Sequence, residues 1–519
     1  LKPEYDAVVI GSGFGGGAVA CRLAEAGWEV CVLERGGRFG RGDFLDRAEQ
    51  APRLFFHPKL NPDGLFDLRM MRDLAVLTAA GVGGGSLVYS NVQLRAPAEV
   101  FAEDWPDAID AAALDPYYDR TEEALDPRPT PDHPPVPKIA AFEAAVQAAG
   151  QESERLPIAV HFGEDRRHPM SGVAQQGCQN LGRCNIGCPV GARNTVDMTY
   201  IARAEEMGAD VHSMCEAERL DPPNGAGGNW RIGFRDHRYR VRHAVEAPVV
   251  VLGAGTLGST RLLLRNRRRL PQISAALGSR FSGNGDALGA AFDPTHEAVR
   301  GARTEFGPAM TSRVDYWKRG ERFMLADGSL PENFTGLLEI VRGASALVGP
   351  GRLRLRLKQL ASRLGFGDRP ITPRDVRLAS RPPITDSLLF LMIGQDEPNG
   401  QMRLTRLFRR LDIRWSEEAS RELFDRMDEA SEELAKAAGA RPFFALEGGP
   451  LGKFVTVHPL GGSPMSDDPA LGVVDHAGRV HNYPGLYVAD GSIVPTALGV
   501  NPSKTIAALA ERVAELLAP

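Results

Sequence analysis

Short apolar runs separated by turn residues dominate the first forty positions. Asp6-Ala-Val-Val-Ile10 is a β-branched run of strand length, and Ala18-Val-Ala-Cys-Arg-Leu-Ala-Glu-Ala26 has helical spacing. A second strand is predicted at Glu29-Val-Cys-Val-Leu33. Far downstream, Val249-Val-Val-Leu252 is a continuous apolar run that leads into Gly253-Ala-Gly-Thr-Leu-Gly258, the pattern of a buried strand turning into a helix. Ser416 to Lys436 reads as one long helix with Ser416 as its N-cap. Strands alternating with helical patterns predict an α/β fold with a parallel sheet. No internal repeat is apparent.

Composition narrows the class. A chain of 519 residues predicts two or three domains. With 43% hydrophobic and 24% charged residues it reads as soluble and globular, and 57 glycines with 38 prolines suit a loop-rich α/β protein. A net charge of −5 gives no reason to expect nucleic acid as a partner. No apolar run approaches the roughly eighteen residues that span a bilayer. Six cysteines are too sparse for a disulfide scaffold, so a reducing compartment is expected. A cytoplasmic location is the expectation; export stays open because the chain begins at Leu1 rather than Met.

The first strand runs straight into Gly11-Ser12-Gly13-Phe14-Gly15-Gly16. Gly11 permits the tight turn, Gly13 lets backbone approach a pyrophosphate, and Gly16 allows helix to pack closely on strand. The helix N-terminus then offers unpaired N–H groups to phosphates. The second strand is capped by Glu34, placed to accept hydrogen bonds from ribose hydroxyls, and followed by Arg35. A further glycine cluster, Gly83-Gly84-Gly85-Ser86, allows backbone to lie against a large planar or anionic ligand. Gly253 and Ala254 close the third predicted strand. Contacts spread this widely suit an extended FAD better than NAD.

With these motifs the chain resembles a glucose-methanol-choline (GMC) oxidoreductase, and within that group it is most similar to the bacterial cholesterol oxidase branch. The matching pieces are Gly11 to Gly16 with Glu34-Arg35-Gly36, Gly83 to Leu87, Gly191-Ala-Arg-Asn-Thr-Val-Asp197, Gly253 to Gly258 and Asn284-Gly-Asp286. The closing stretch matches most specifically: His458-Pro-Leu-Gly-Gly462, Pro484 to Ser492, and Gly499-Val-Asn501-Pro502. The resemblance implies a Rossmann-type FAD-binding domain built from discontinuous segments and an α+β substrate domain with a largely antiparallel sheet. The expected division is 1–100, 190–289 and 445–519 for FAD, and 101–189 and 290–444 for substrate, with the Pro-rich run 126–137 as a crossing loop. It further implies that FAD is contacted by the residues above together with Tyr89, Ser90, Asn91, Ala217, Asp490, Gly491, Asn501 and Pro502.

Oxidising an alcohol removes a proton from oxygen and a hydride from carbon; flavin takes the hydride, so protein must manage the proton. A histidine suits that task, and an asparagine offers both donor and acceptor to the substrate oxygen. By resemblance His458 and Asn501 are the catalytic pair. His476 and His481 read as hairpin residues. Dioxygen or another acceptor then reoxidises the flavin. Two readings stay open beside it: an FAD dehydrogenase of a glycoside or natural-product alcohol using another acceptor, and a non-redox lyase on the same fold.

Three departures from the cholesterol oxidase pattern matter. The position of that branch's active-site glutamate aligns with Thr335, leaving Glu332 as the candidate three residues away. Tyr89, Ser90 and Asn91 stand where that branch usually begins with Asn, and Ser463 replaces a Cys. Alcohol oxidation without double-bond isomerisation is therefore expected. Cys178, Cys184 and Cys188 have spacings that raise a metal reading, with Cys215 or His212 as a fourth ligand; the resemblance favours a structural loop and no metal. Arg352-Leu-Arg-Leu-Arg-Leu-Lys358 lies within 342–381, which holds ten basic and two acidic residues. It reads as a solvated strand or basic helix, with peripheral docking on an anionic membrane as the functional alternative.

Overall fold

The computed structural model describes residues 1–44, 53–225, 227–329, 331, 357–358, 360–370, 386–444 and 454–518. Five parallel strands form the sheet that the N-terminal pattern predicts: β1 (Ala7–Ile10), β2 (Val30–Leu33), β3 (Asp210–His212), β4 (Val249–Leu252) and β5 (Leu486–Val488). Their order is β5-β4-β1-β2-β3, so β1 sits centrally between β4 and β2. β1, β2 and β4 are apolar at every position because both faces are covered, whereas the edge strand β3 carries Asp210 and His212. Ala7 and Val9 point into one core with Val19, Leu23 and Val513, whereas Val8 and Ile10 point into the other with Phe234, Leu262 and Leu263. Helices α1 (Phe14–Glu25), α2 (Gly255–Asn266) and α3 (Ser503–Leu517) flank it, α1 and α3 packed on each other.

A second sheet has six strands, all antiparallel, in the order Arg441–Phe444, Ala287–Phe292, Leu388–Gly394, Phe323–Gly328, Ser312–Asp315 and Glu154–Arg155. The helix Arg421–Ala437 buries Phe424, Met427, Ala430 and Leu434 against it. This helix starts later than the sequence pattern predicts. The Ser416 hydroxyl accepts from the Glu418 N–H (3.3 Å) ahead of a 3₁₀ turn at Glu418–Ser420, and the Ser420 hydroxyl is drawn off to the Glu397 N–H (2.8 Å). A buried ion pair, Lys138 with Asp327, ties the helix Pro137–Ala148 to this sheet, and Asp327 also accepts from the Thr311 and Ser312 N–H groups (2.6 and 2.8 Å). The Pro-rich run remains without regular structure until Pro137 opens that helix. Among the described residues no helix is long and apolar enough to cross a membrane.

Candidate active site

The glycine turn after β1 is fixed by backbone crowding from distant segments. A Cβ on Gly15 would fall within the carbonyl of Ala489, just after β5, and one on Gly16 would collide with the carbonyl of Gly11. Gly253 and Gly84 are equally tight: a Cβ would lie 2.5 Å from the Gly16 Cα and 2.6 Å from the Gly13 Cα respectively. Gly11, at φ +99°, adopts a backbone that side chains disfavour. Gly13 and Gly85 differ. The nearest atom to a Cβ at Gly13 would be 3.8 Å away, and Gly85 has nothing within 4 Å. The packed glycines thus assemble the turn, and the open ones leave bare backbone facing space.

Hydrogen bonds hold the turn in register. The Ser12 hydroxyl donates to Glu34 Oε2 (2.8 Å) and accepts from the Gly83 N–H (3.1 Å), joining the first two glycine clusters. Glu34 Oε1 accepts from the Gly36 N–H (2.9 Å). Asp490 joins the third cluster to the C-terminal stretch: one carboxylate oxygen accepts from the Gly255 N–H (2.9 Å) and the Ser259 hydroxyl (2.5 Å), the other from the Ser492 N–H (2.8 Å). Burial raises the Asp490 carboxyl above the usual range. Phe14 meets Tyr89 edge-on with ring centroids 5.2 Å apart, and the Tyr89 hydroxyl donates to the Asn194 carbonyl (2.8 Å). Arg193 is buried over the Tyr89 ring and donates to Asn91 Oδ1 (2.7 Å) and to the carbonyls of Leu87, Ser86 and Tyr89.

These residues fit a flavin dinucleotide on the protein's own terms. The N-cap Gly13 makes no side-chain cap, so the first-turn N–H groups of α1 are left for a ligand. Among the described residues, Asn91 Nδ2, Gln93 Oε1, Asp197 Oδ1 and Asn501 Oδ1 are buried polar atoms without a hydrogen-bond partner. Orphaned buried polar atoms are uncommon, and those on segments that carry the expected cofactor contacts suit a polar ligand. Asp197 is also next to the second glycine cluster, where a Cβ on Gly83 would stand 3.0 Å from its Oδ1.

His458 and Asn501 come from opposite directions and are held by one short turn. His458 follows the strand Phe454–Thr456, which pairs in parallel with Leu74–Ala79; Asn501 and Pro502 precede α3. The turn is Asn284-Gly-Asp286, at the entrance to the antiparallel strand Ala287–Phe292. Asn284 Oδ1 accepts from the Leu498 and Gly499 N–H groups (2.8 and 3.0 Å), and its Nδ2 donates to the Val500 carbonyl (2.8 Å). Two residues on, Asp286 grips the other segment, with Oδ1 2.6 Å from His458 Nδ1. The His458 side chain is 21% exposed, and among the described residues Nε2 has no hydrogen-bond partner. Asp286 and Asn284 were visible in sequence only as part of a matching motif. Their clamping role depends on contacts 172 and 214 residues away.

Other sequence candidates stand apart from this turn. Glu332, Thr335, 342–356 and 371–385 lie outside the described residues. Arg35 is engaged with Asp67 (2.7 Å) and over the Phe56 ring, and the Ser90 hydroxyl donates to Asn185 (3.2 Å). Ala217 sits at a register shift opposite Phe234. His476 pairs with Asp467 (2.9 Å) and His481 with the Ser466 carbonyl (2.9 Å), as hairpin residues would. Cys178, Cys184 and Cys188 line one small cavity with Arg183 and Pro308. All are free thiols, and among the described residues no metal-holding group of three is present.

Comparison with known proteins places this geometry. The GMC oxidoreductase family models match residues 5–267 and 398–510. Cholesterol oxidase of Mycobacterium tuberculosis is 31% identical, over 99% of this chain and 91% of the relative. Paromamine 6'-oxidase of Streptomyces fradiae is 26% identical over 99% of this chain and 91% of its own length. The crystal structure of pyridoxine 4-oxidase from Mesorbium loti superposes with a TM-score of 0.66 at 16% identity, covering 98% of both chains. The chain therefore belongs to the GMC oxidoreductases, and it is an FAD-dependent enzyme that oxidises alcohols.

Proposed function

We propose that the protein oxidises a hydrophobic alcohol, sterol-like or long-chain, to a ketone or aldehyde, with His458 taking the hydroxyl proton and Asn501 holding the oxygen. One observation carries the reading: among the described residues His458 Nε2 and the buried Asn501 amide oxygen both lack partners, and their segments are pinned to the same three-residue turn. Bound FAD supplies the hydride acceptor. The protein's part is to receive a proton at Nε2 and to fix the oxygen with a donor and an acceptor from one amide. In this reading the dinucleotide lies along Gly11–Gly16, Glu34, Gly83–Ser86 and Asp490–Gly491, and the five-segment domain division drawn from the sequence is retained.

Anaerobic addition of sterols and long-chain alcohols is expected to bleach the flavin absorbance, and the His458→Gln and Asn501→Ala variants to slow bleaching by about a hundredfold or more. A flavin that no alcohol reduces would sink the reading and favour a lyase. Peroxide release on admitting air identifies dioxygen as the acceptor; without it the enzyme is a dehydrogenase. The relation to paromamine 6'-oxidase favours one second reading, a glycoside or natural-product alcohol as substrate, and aminoglycosides belong in the same panel. A 3β-hydroxy-5-ene steroid is expected to give the unconjugated ketone, since Thr335 aligns with the isomerising glutamate; a 4-enone product would refute this and make Glu332 the residue to mutate.

Peripheral membrane contact is part of the proposal. Leu357, Leu360 and Leu364 are exposed beside Lys358, and exposed Phe408 touches Phe366 (5.8 Å between rings). Pelleting with anionic but not neutral liposomes is expected; equal behaviour with both would remove the contact.

A further inference from the structure

The assignment of His458 leaves open how one face of an imidazole is kept ready to take a proton. Asp286 is 8% exposed and its two carboxylate oxygens do different work. Oδ2 receives the backbone N–H groups of Val457 (2.7 Å) and His458 (3.0 Å), with the Thr456 hydroxyl at 2.9 Å. Backbone N–H groups can only donate, so Oδ2 is an acceptor. Oδ1 faces His458 Nδ1 at 2.6 Å, in the range of a charge-assisted bond. An ionised carboxylate has no proton to give. Against a carboxylate the shared hydrogen belongs to Nδ1, and a neutral imidazole held that way presents an unprotonated Nε2.

A second carboxyl is bonded to the same turn. Asp396 is buried on the other side of the turn, accepting from the Ser282 hydroxyl (2.5 Å) and the Gly283 N–H (3.1 Å). Burial first, and then the neighbouring Asp286 charge, push the Asp396 carboxyl up to about 7. Asp396 is thereby disposed to hold a proton near neutrality.

We propose that Asp286 is a positioning residue for the oxidation: it fixes both the ring orientation and the Nδ1–H tautomer of His458, so that Nε2 is the atom that accepts the hydroxyl proton. The inference rests on the role given to His458 above. Asp286→Asn tests it closely. An asparagine must turn its oxygen to the two backbone N–H groups, which points its NH₂ at Nδ1. That imidazole is then driven to carry its hydrogen on Nε2.

The flavin-loaded D286N enzyme is expected to reduce its flavin about a hundredfold more slowly at saturating alcohol, with the half-saturating alcohol concentration changed less than threefold. Thr456→Val is the control, since it loosens the same loop without altering the partner of Nδ1, and it should retain most of the rate. If D286N and T456V slow reduction alike, or D286N stays within about threefold of wild type, Asp286 only braces the loop and the proposal falls. Nitrogen NMR of wild-type holoenzyme labelled with ¹⁵N-histidine, with H458Q identifying the signal, reads the tautomer without a variant at Asp286. A protonated Nε2 in the resting enzyme overturns the proposal. If H458Q itself reduces flavin at the wild-type rate, the role of His458 has failed; if H458Q is inactive while D286N is not, only Asp286 has been misassigned.

Discussion

The two sheets are held by different kinds of contact. Around the parallel sheet the critical approaches are backbone on backbone: Gly15 under the Ala489 carbonyl, Gly16 on the Gly11 carbonyl, Gly253 against Gly16. In the antiparallel sheet the equivalent work is done by side chains, by Lys138 with Asp327 and by apolar residues such as Phe390, Met392 and Ile393. Backbone contact accepts one residue type and so writes itself into the sequence. Side-chain packing accepts many combinations of similar volume, and leaves no motif to read.

If that contrast is right, the largest effect comes from one methyl group in the first region. Gly15→Ala is expected to cost roughly 4 kcal/mol or more and to abolish FAD retention, measured by thermal unfolding and by flavin absorbance of the purified protein. A folded, yellow G15A enzyme would break the comparison.

Next comes Asp396, on the seam between the regions. Its carboxyl is raised from 3.8 to about 7, so the folded state holds a proton that the unfolded state releases once pH passes about 4. Its contribution to stability is therefore fully present at low pH and is lost as pH rises from about 4 to about 7. The ceiling is about 4 kcal/mol. Denaturant unfolding of wild type and Asp396→Asn across this window should give a difference that slopes inside it and is flat outside it. A constant difference would show that Asp396 is not protonated in the fold.

Within the antiparallel sheet, Lys138→Met leaves Asp327 buried without its cation and is expected to cost about 3 kcal/mol, while the flavin spectrum stays unchanged. Loss of FAD in this variant would show that the two halves are more tightly coupled than their contacts suggest. The smallest effect is expected from Ile393→Val, about 1 kcal/mol in urea unfolding, again with full flavin content.

Legibility followed the same divide. Strand, glycine turn, helix and Glu34 were readable because their spacing is local, and the closing motifs named His458 and Asn501 by resemblance. Asp286 could not be ranked from sequence. An aspartate before a strand is ordinary, and its partner is 172 residues away. Asp396 is remoter still from any motif, and its environment exists only once Ser282 and Gly283 fold against it. The misplaced helix start at Ser416 has a tertiary cause of the same kind, since a bond from the Glu397 N–H takes the Ser420 hydroxyl. The substrate remains unreadable because the 290–444 stretch contributes side-chain surface, not backbone geometry.

The meeting of Gly15 with Ala489 also sets an order of events in the cell. The cofactor's turn leaves the ribosome well before its partners: the carbonyl that shapes it, the strand β5 beside β4 and the Asp490 bridge to Gly255 arrive nearly five hundred residues later. At translation rates of roughly 5–20 residues per second, that delay is on the order of half a minute to a minute and a half. FAD capture thus reports on synthesis through the C-terminal segments β5 and α3: a chain halted before Leu486 should emerge colourless, while one that has passed Leu517 and folded should turn yellow.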